Sequence, residues 1–131
     1  MADLFDDEWM KSFQGIWNAD PALKDALAEL GFNSVIGYGM PSEDGPRGFV
    51  DIQNGEVVTA GSYDGQDLSW DIRADQKNWE KWLSKGIGMA GLGMAVTTGK
   101  MKFKVGDFKA MIKDPRMAGP FIKSFEAMGK V

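Results

Sequence analysis

The chain has 131 residues, a net charge of −4 and 44% hydrophobic residues, with neither cysteine nor histidine. That length suits one domain of roughly 100–150 residues, and the missing residue types exclude disulfides, a thiolate nucleophile and zinc sites built from Cys or His. The charge is divided: residues 1–95 carry seven Lys/Arg against sixteen Asp/Glu, a net −9, and residues 96–131 carry eight against three, a net +5.

Asp3, Asp6, Asp7 and Glu8 open the chain, the opposite of a basic signal-peptide start. Trp9, Phe13, Ile16 and Trp17 then recur at helical spacing and predict an aromatic-faced helix. Its tryptophans either pack on a sheet or flank a pocket mouth. Asp20-Pro21 reads as a cap and first-turn proline for a second helix with Leu23, Ala26, Leu27 and Leu30 on one face, ended by Gly31.

The period then changes to two. Strands are expected at Val35–Met40, Arg47–Gln53 and Glu56–Tyr63, with Asn54-Gly55 supplying a hairpin turn. A fourth, from Leu68, alternates Leu68, Trp70 and Ile72 with Ser69, Asp71 and Arg73, which predicts one wet face. Together these strands read as an antiparallel meander. Asp75 caps a helix with Trp79, Trp82 and Leu83 on its buried stripe, and Trp70 and Trp82 read as core. Gly86–Thr98 is ambiguous, a loose helix at best. Its uncharged run, Gly86 to Gly99, falls short of the ~20 apolar residues of a membrane span. Lys100–Val105 is a fifth strand, with Met101, Phe103 and Val105 inward and Lys100, Lys102 and Lys104 outward. Asp107 starts a helix carrying Phe108, Met111 and Ile112 and stopped by Pro115, and a last helix from about Pro120 bears Phe121, Phe125 and Met128.

Gly99-Lys100-Met101-Lys102-Phe103 and Gly106-Asp107 resemble the strand and turn that members of the sterol-carrier-protein-2 family carry before their last helices. The spacing between the two glycines departs from the usual pattern by about one residue, which predicts a bulge. The aromatic first helix, the strands around Asn54-Gly55 and the tryptophan-bearing helix at Asp75–Ser84 follow the family's order. The resemblance implies an α+β fold over residues 1–131: a five-stranded, mostly antiparallel sheet covered by helices, with an apolar tunnel for lipids or acyl-CoA-like molecules. Gly129-Lys130-Val131 is not a peroxisomal address, so a cytoplasmic protein is expected.

Motifs of chemistry do not hold up. Gly86-Ile87-Gly88-Met89-Ala90-Gly91 satisfies GxGxxG but follows a helix rather than a strand. Gly99-Lys100 lacks the earlier glycine and the Ser/Thr of a phosphate loop. Asp51, Asp67, Asp71 and Asp75 read as exposed or capping, and without histidine nothing marks a base poised near neutral pH. Non-enzymatic binding without a cofactor is the expectation.

The positive signal is methionine. Six of the eight beyond the initiator follow residue 88, and flexible thioethers suit a deformable apolar wall. The expected cavity is bounded by the Met101–Val105 strand, the Gly86–Thr98 segment and the C-terminal helices. Its candidate lining from the first part of that region is Met89, Leu92, Met94, Met101 and Phe103, with Trp17 from the first helix. The last helices add Phe108, Met111, Met117, Phe121 and Phe125. The expected ligand is a hydrophobic small molecule, and the basic last third suits a transient contact with an anionic membrane or acidic protein. An acidic total disfavours nucleic acid. The alternative is an accessory interaction subunit that uses the fold without a ligand.

Overall fold

In the computed structural model, which describes residues 3–131, Asp6 starts the first helix by accepting a hydrogen bond from the Trp9 amide at 2.8 Å. Asp7 and Glu8 add negative charge to its first turn, where the helix dipole is positive. The chain then runs α1 (Asp7–Asn18), α2 (Lys24–Ala28), β1 (Ser34–Gly39), β2 (Gly48–Gln53), β3 (Glu56–Ser62) and β4 (Trp70–Ala74). It continues through α3 (Gln76–Lys85), α4 (Met89–Thr97), β5 (Met101–Val105), α5 (Phe108–Ile112) and α6 (Pro115–Met128).

The strands form a five-stranded sheet in the order β3-β2-β1-β4-β5. β1, β2 and β3 are the expected antiparallel meander, but β4 is not its fourth member. It lies parallel to β1 on the other side, with Tyr38 opposite Ile72. Residues 63–69 make this crossing over two strands. Three strand spacings are about 14 Å, well within the reach of seven extended residues. The crossing needs a bare surface, and Gly37 supplies it: a Cβ there would stand 2.8 Å from Pro46 and 3.1 Å from Leu68.

That covering also overturns the expected wet face of β4. Asp71 and Arg73 are 6% and 1% exposed. Arg73 pairs with the Asp71 carboxylate, and its Nη1 donates to the carbonyls of Met40 and Glu43 at 3.0 and 2.7 Å. The residue 40–47 loop thereby lies over the face that alternation alone assigns to solvent.

Asn54 (φ 53) and Gly55 (φ 83) form the turn between β2 and β3, in the left-handed conformations such a turn requires. At β5 the pairing passes from Asp71–Val105 to Ile72–Phe103, so Lys104 is the extra residue of a bulge. The shift ends the strict alternation, and Val105 emerges 41% exposed rather than buried.

The C-terminal helices differ from the expected boundaries. Pro115 opens α6 behind its N-cap, Asp114, instead of ending a helix, because proline is well suited to a first turn. Pro120 then sits inside α6 and cannot supply the hydrogen bond that its position would donate. The helices meet the sheet in one core that includes Met10, Phe13, Ile36, Tyr38, Ile72, Trp79, Leu92 and Met101.

Candidate functional site

The apolar stripe of α1, the buried face of α2 and the last two helices converge on β1 and β4 around a small cavity. Trp17 and Leu27 enter from the first helices, Ile36 and Ile72 from the sheet, and Met111, Met117 and Phe121 from α5 and α6. Phe32, Trp70, Pro120 and Ser124 complete the lining. No lining residue is charged. Two polar groups are already engaged: Trp17 Nε1 donates to the Gly55 carbonyl at 2.9 Å, and Ser124 Oγ donates to the Phe121 carbonyl.

The volume is about 30 Å³. A cavity that accepts benzene is about 150 Å³, so a guest must displace the wall. The side chains on the helical side permit this most readily. Met111 and Met117 have soft, unbranched side chains, and Met117 and Phe121 are only half-buried. A wide groove between α2 and α6 shares Pro120 with the cavity and is bordered by Ala22, Ala26 and Leu30. Glu29, Arg116 and Lys123 stand on the same groove.

Of the residues singled out in the sequence, Trp17, Met111, Met117 and Phe121 are brought together here. The others lie elsewhere. Leu92, Met101 and Phe125 are fully packed core residues. Phe103 and Phe108 pack at a tilt behind the cavity wall, with Phe103 5.1 Å from Phe108 and 6.0 Å from Phe121 between ring centres. Met89 and Met94 face outward, at 47% and 64% exposed. The core stripe of α4 runs through Leu92 and Ala95, which turns Met94 to the opposite side. The cavity therefore lies beside α2, and no residue of α4 or β5 lines it.

Sequence reasoning missed Leu27, Phe32, Ile36, Ile72, Pro120 and Ser124, and took Trp70 for plain core. Leu27, Ile36 and Ile72 did carry periodic apolar signals, but those mark burial rather than a void. Phe32 and Ser124 carried no signal.

Beyond the inner wall, Tyr38 is packed among Phe5, Phe13 and Trp79, with ring centres 5.5, 6.2 and 6.1 Å away. Its hydroxyl is fully buried and has no hydrogen-bond partner among the described residues. Burial pushes the phenol well above its ordinary pKa, and an unsatisfied buried donor costs about 1–3 kcal/mol.

No titratable side chain lines the cavity. Asp71 is tied to Arg73, Asp67 and Asp75 are exposed and Asp51 is half-buried. Among the described residues no cluster of three potential metal ligands occurs, and no helix is long and apolar enough to cross a membrane.

No family model and no curated protein matches the chain. Solved structures do. A sterol carrier protein 2 superposes with a TM-score of 0.77 at 17% identity, over 98% of this chain and 99% of that one. A conserved hypothetical protein from Thermus thermophilus gives 0.65 at 17% identity, over 96% and 90%. UbiJ-SCP2, a ubiquinone synthesis protein, gives 0.59 at 12% identity, over 93% and 88%. The chain has the sterol-carrier-protein-2 fold.

Proposed function

We propose that this protein is a non-catalytic cytoplasmic carrier of a hydrophobic small molecule, held between α2, α5, α6 and the sheet. The observation that carries this reading is the uncharged cavity walled by Met111, Met117 and Phe121 and adjoining the α2–α6 groove. The groove serves as the entrance. Outward movement of α6 and rotation of the two methionines enlarge the cavity as the guest arrives. Arg116 and Lys123 lie where a polar head would remain outside.

The driving force is desolvation. A ten-carbon chain gains roughly 8 kcal/mol gross on burial, and opening the wall and ordering the chain subtract from it. Since about 8 kcal/mol corresponds to a micromolar Kd, binding no tighter than micromolar is expected. Displacement of a fluorescent fatty-acyl probe tests this: saturable, one-to-one displacement supports the carrier. Its absence even at protein concentrations far above micromolar, approaching millimolar, supports the second reading, an accessory subunit that uses the fold without a lumen. The small resting volume of the cavity favours that alternative, and one protein sharing the fold, UbiJ-SCP2, is described as a ubiquinone synthesis protein.

Delivery calls for a docking surface, and we assign it to α4 and β5. Between Glu80 and Asp107 the chain has no acidic residue and carries Lys81, Lys85, Lys100, Lys102 and Lys104. Met89, Met94 and Val105 are exposed within the same stretch. Exposed apolar side chains in a lysine-rich, acid-free stretch of chain fit the headgroup boundary of an anionic bilayer.

A further inference from the structure

Tyr38 presents a chemical puzzle that the apolar cavity does not resolve. Among the described residues, its Oη is the only fully buried side-chain nitrogen or oxygen without a hydrogen-bond partner. A phenylalanine would fill the same space without burying an unsatisfied donor. The neighbouring polar groups are committed elsewhere. Trp79 Nε1 donates to the Gly39 carbonyl at 3.0 Å, and Arg73 lies on the opposite face of the sheet, bound to Asp71.

The position of Tyr38 relates it to the cavity. Ile36 and Ile72 line the cavity floor. Tyr38 is two residues beyond Ile36, on the same face of β1, and stands directly beside Ile72 in the parallel register. On the helical side, Trp17 lines the cavity and touches Phe13, which in turn touches Tyr38. The Tyr38 ring thus does not line the resting cavity but stands one residue behind its wall, beside Ile72 and one aromatic ring away from Trp17.

We infer that Tyr38 is a specificity-determining residue whose hydroxyl engages a neutral oxygen, an alcohol or carbonyl, at the buried end of the guest. This rests on the carrier reading and names its ligand class. The surroundings decide against an acid. Phe5, Phe13 and Trp79 offer no cation, and a carboxylate moved among them loses its hydration without a partner. An alcohol or carbonyl meets a phenol that can both donate and accept.

The test uses butylbenzene, its chain-end alcohol phenylbutanol and the corresponding acid phenylbutanoate, each titrated into wild type and Tyr38→Phe. The wild type should bind butylbenzene and phenylbutanol. Tyr38→Phe should lose about tenfold in phenylbutanol affinity, keep its butylbenzene affinity, and melt no lower than wild type when unliganded. Phenylbutanoate should be the weakest ligand of both proteins. Unchanged phenylbutanol affinity in Tyr38→Phe, with butylbenzene still bound, overturns the role of Tyr38 and leaves the carrier standing. So does a lower melting temperature of the unliganded variant, which would mark a structural water on the hydroxyl. Tight phenylbutanoate binding that depends on Tyr38 overturns the neutral class. If wild type binds none of the three at millimolar concentration, the carrier reading fails and this inference with it.

Discussion

Asp71 and Arg73 stand two residues apart on one face of β4, and the guanidinium meets the carboxylate through two hydrogen bonds, at 2.5 and 2.9 Å. The other arm of Arg73 holds the Met40 and Glu43 carbonyls, so one ion pair fastens the residue 40–47 loop to the sheet. Breaking a buried pair from one side leaves a charge uncompensated, at about 3–5 kcal/mol. Asp71→Ala should lower the unfolding free energy by that amount in denaturant titrations. Replacing both residues, Asp71→Leu with Arg73→Met, should restore part of it. A loss below about 1 kcal/mol for Asp71→Ala contradicts the role given to the pair.

The turn at Asn54-Gly55 yields a second prediction. A Cβ on Gly55 would lie 2.4 Å from the Lys24 carbonyl, at φ 83, whereas one on Gly65, at φ 91, meets nothing within 4 Å. Both Gly→Ala changes incur the left-handed penalty of about 1–2 kcal/mol. Only Gly55→Ala also pushes α2 off the hairpin. Thermal melts should rank Gly55→Ala well below Gly65→Ala; equal melting temperatures would show that α2 is not seated on the turn.

Phe121 occupies space that the guest needs. Phe121→Ala should lower stability by about 2–3 kcal/mol, since the ring is half-buried and deleting a core phenylalanine typically costs 3–5. It should also tighten butylbenzene binding, because the void is made in advance. Weaker binding in a folded variant would mean that the ring grips the guest.

Docking and binding should separate. Lys102→Glu and Met94→Asp should each weaken association with vesicles rich in anionic lipid in sedimentation assays. Near a charged surface one lysine contributes about 1 kcal/mol, roughly fivefold, and charge reversal costs more. Neither change should alter butylbenzene affinity, because both side chains are exposed and neither lines the cavity. Loss of butylbenzene binding in folded Lys102→Glu would contradict the assignment of that face.

Much of the fold was legible because local chemistry dictated it. Asn54-Gly55 announced its turn by the backbone conformation it tolerates, and the spacing of Gly99 and Gly106 announced the bulge found at Lys104. The parallel placement of β4 was not legible, since alternation fixes a strand's faces but not its neighbour. Asp71 and Arg73 looked solvated because the loop that buries them has no periodic pattern. The last helix began earlier than expected because Pro115, read as a stop, is a start. The cavity was harder still. Met111, Met117 and Phe121 were recognisable as a soft apolar group, but Met89 and Met94 looked equally suitable. Only the packing of α4 through Leu92 and Ala95 turns the latter pair outward.

The two pairs of methionines also provide the most direct test. In a methyl-labelled sample titrated with butylbenzene, the Met111 and Met117 methyl resonances should shift saturably while those of Met89 and Met94 stay in place. Shifts confined to Met89 and Met94, or none at any methionine, would contradict a guest held between the last helices and the sheet.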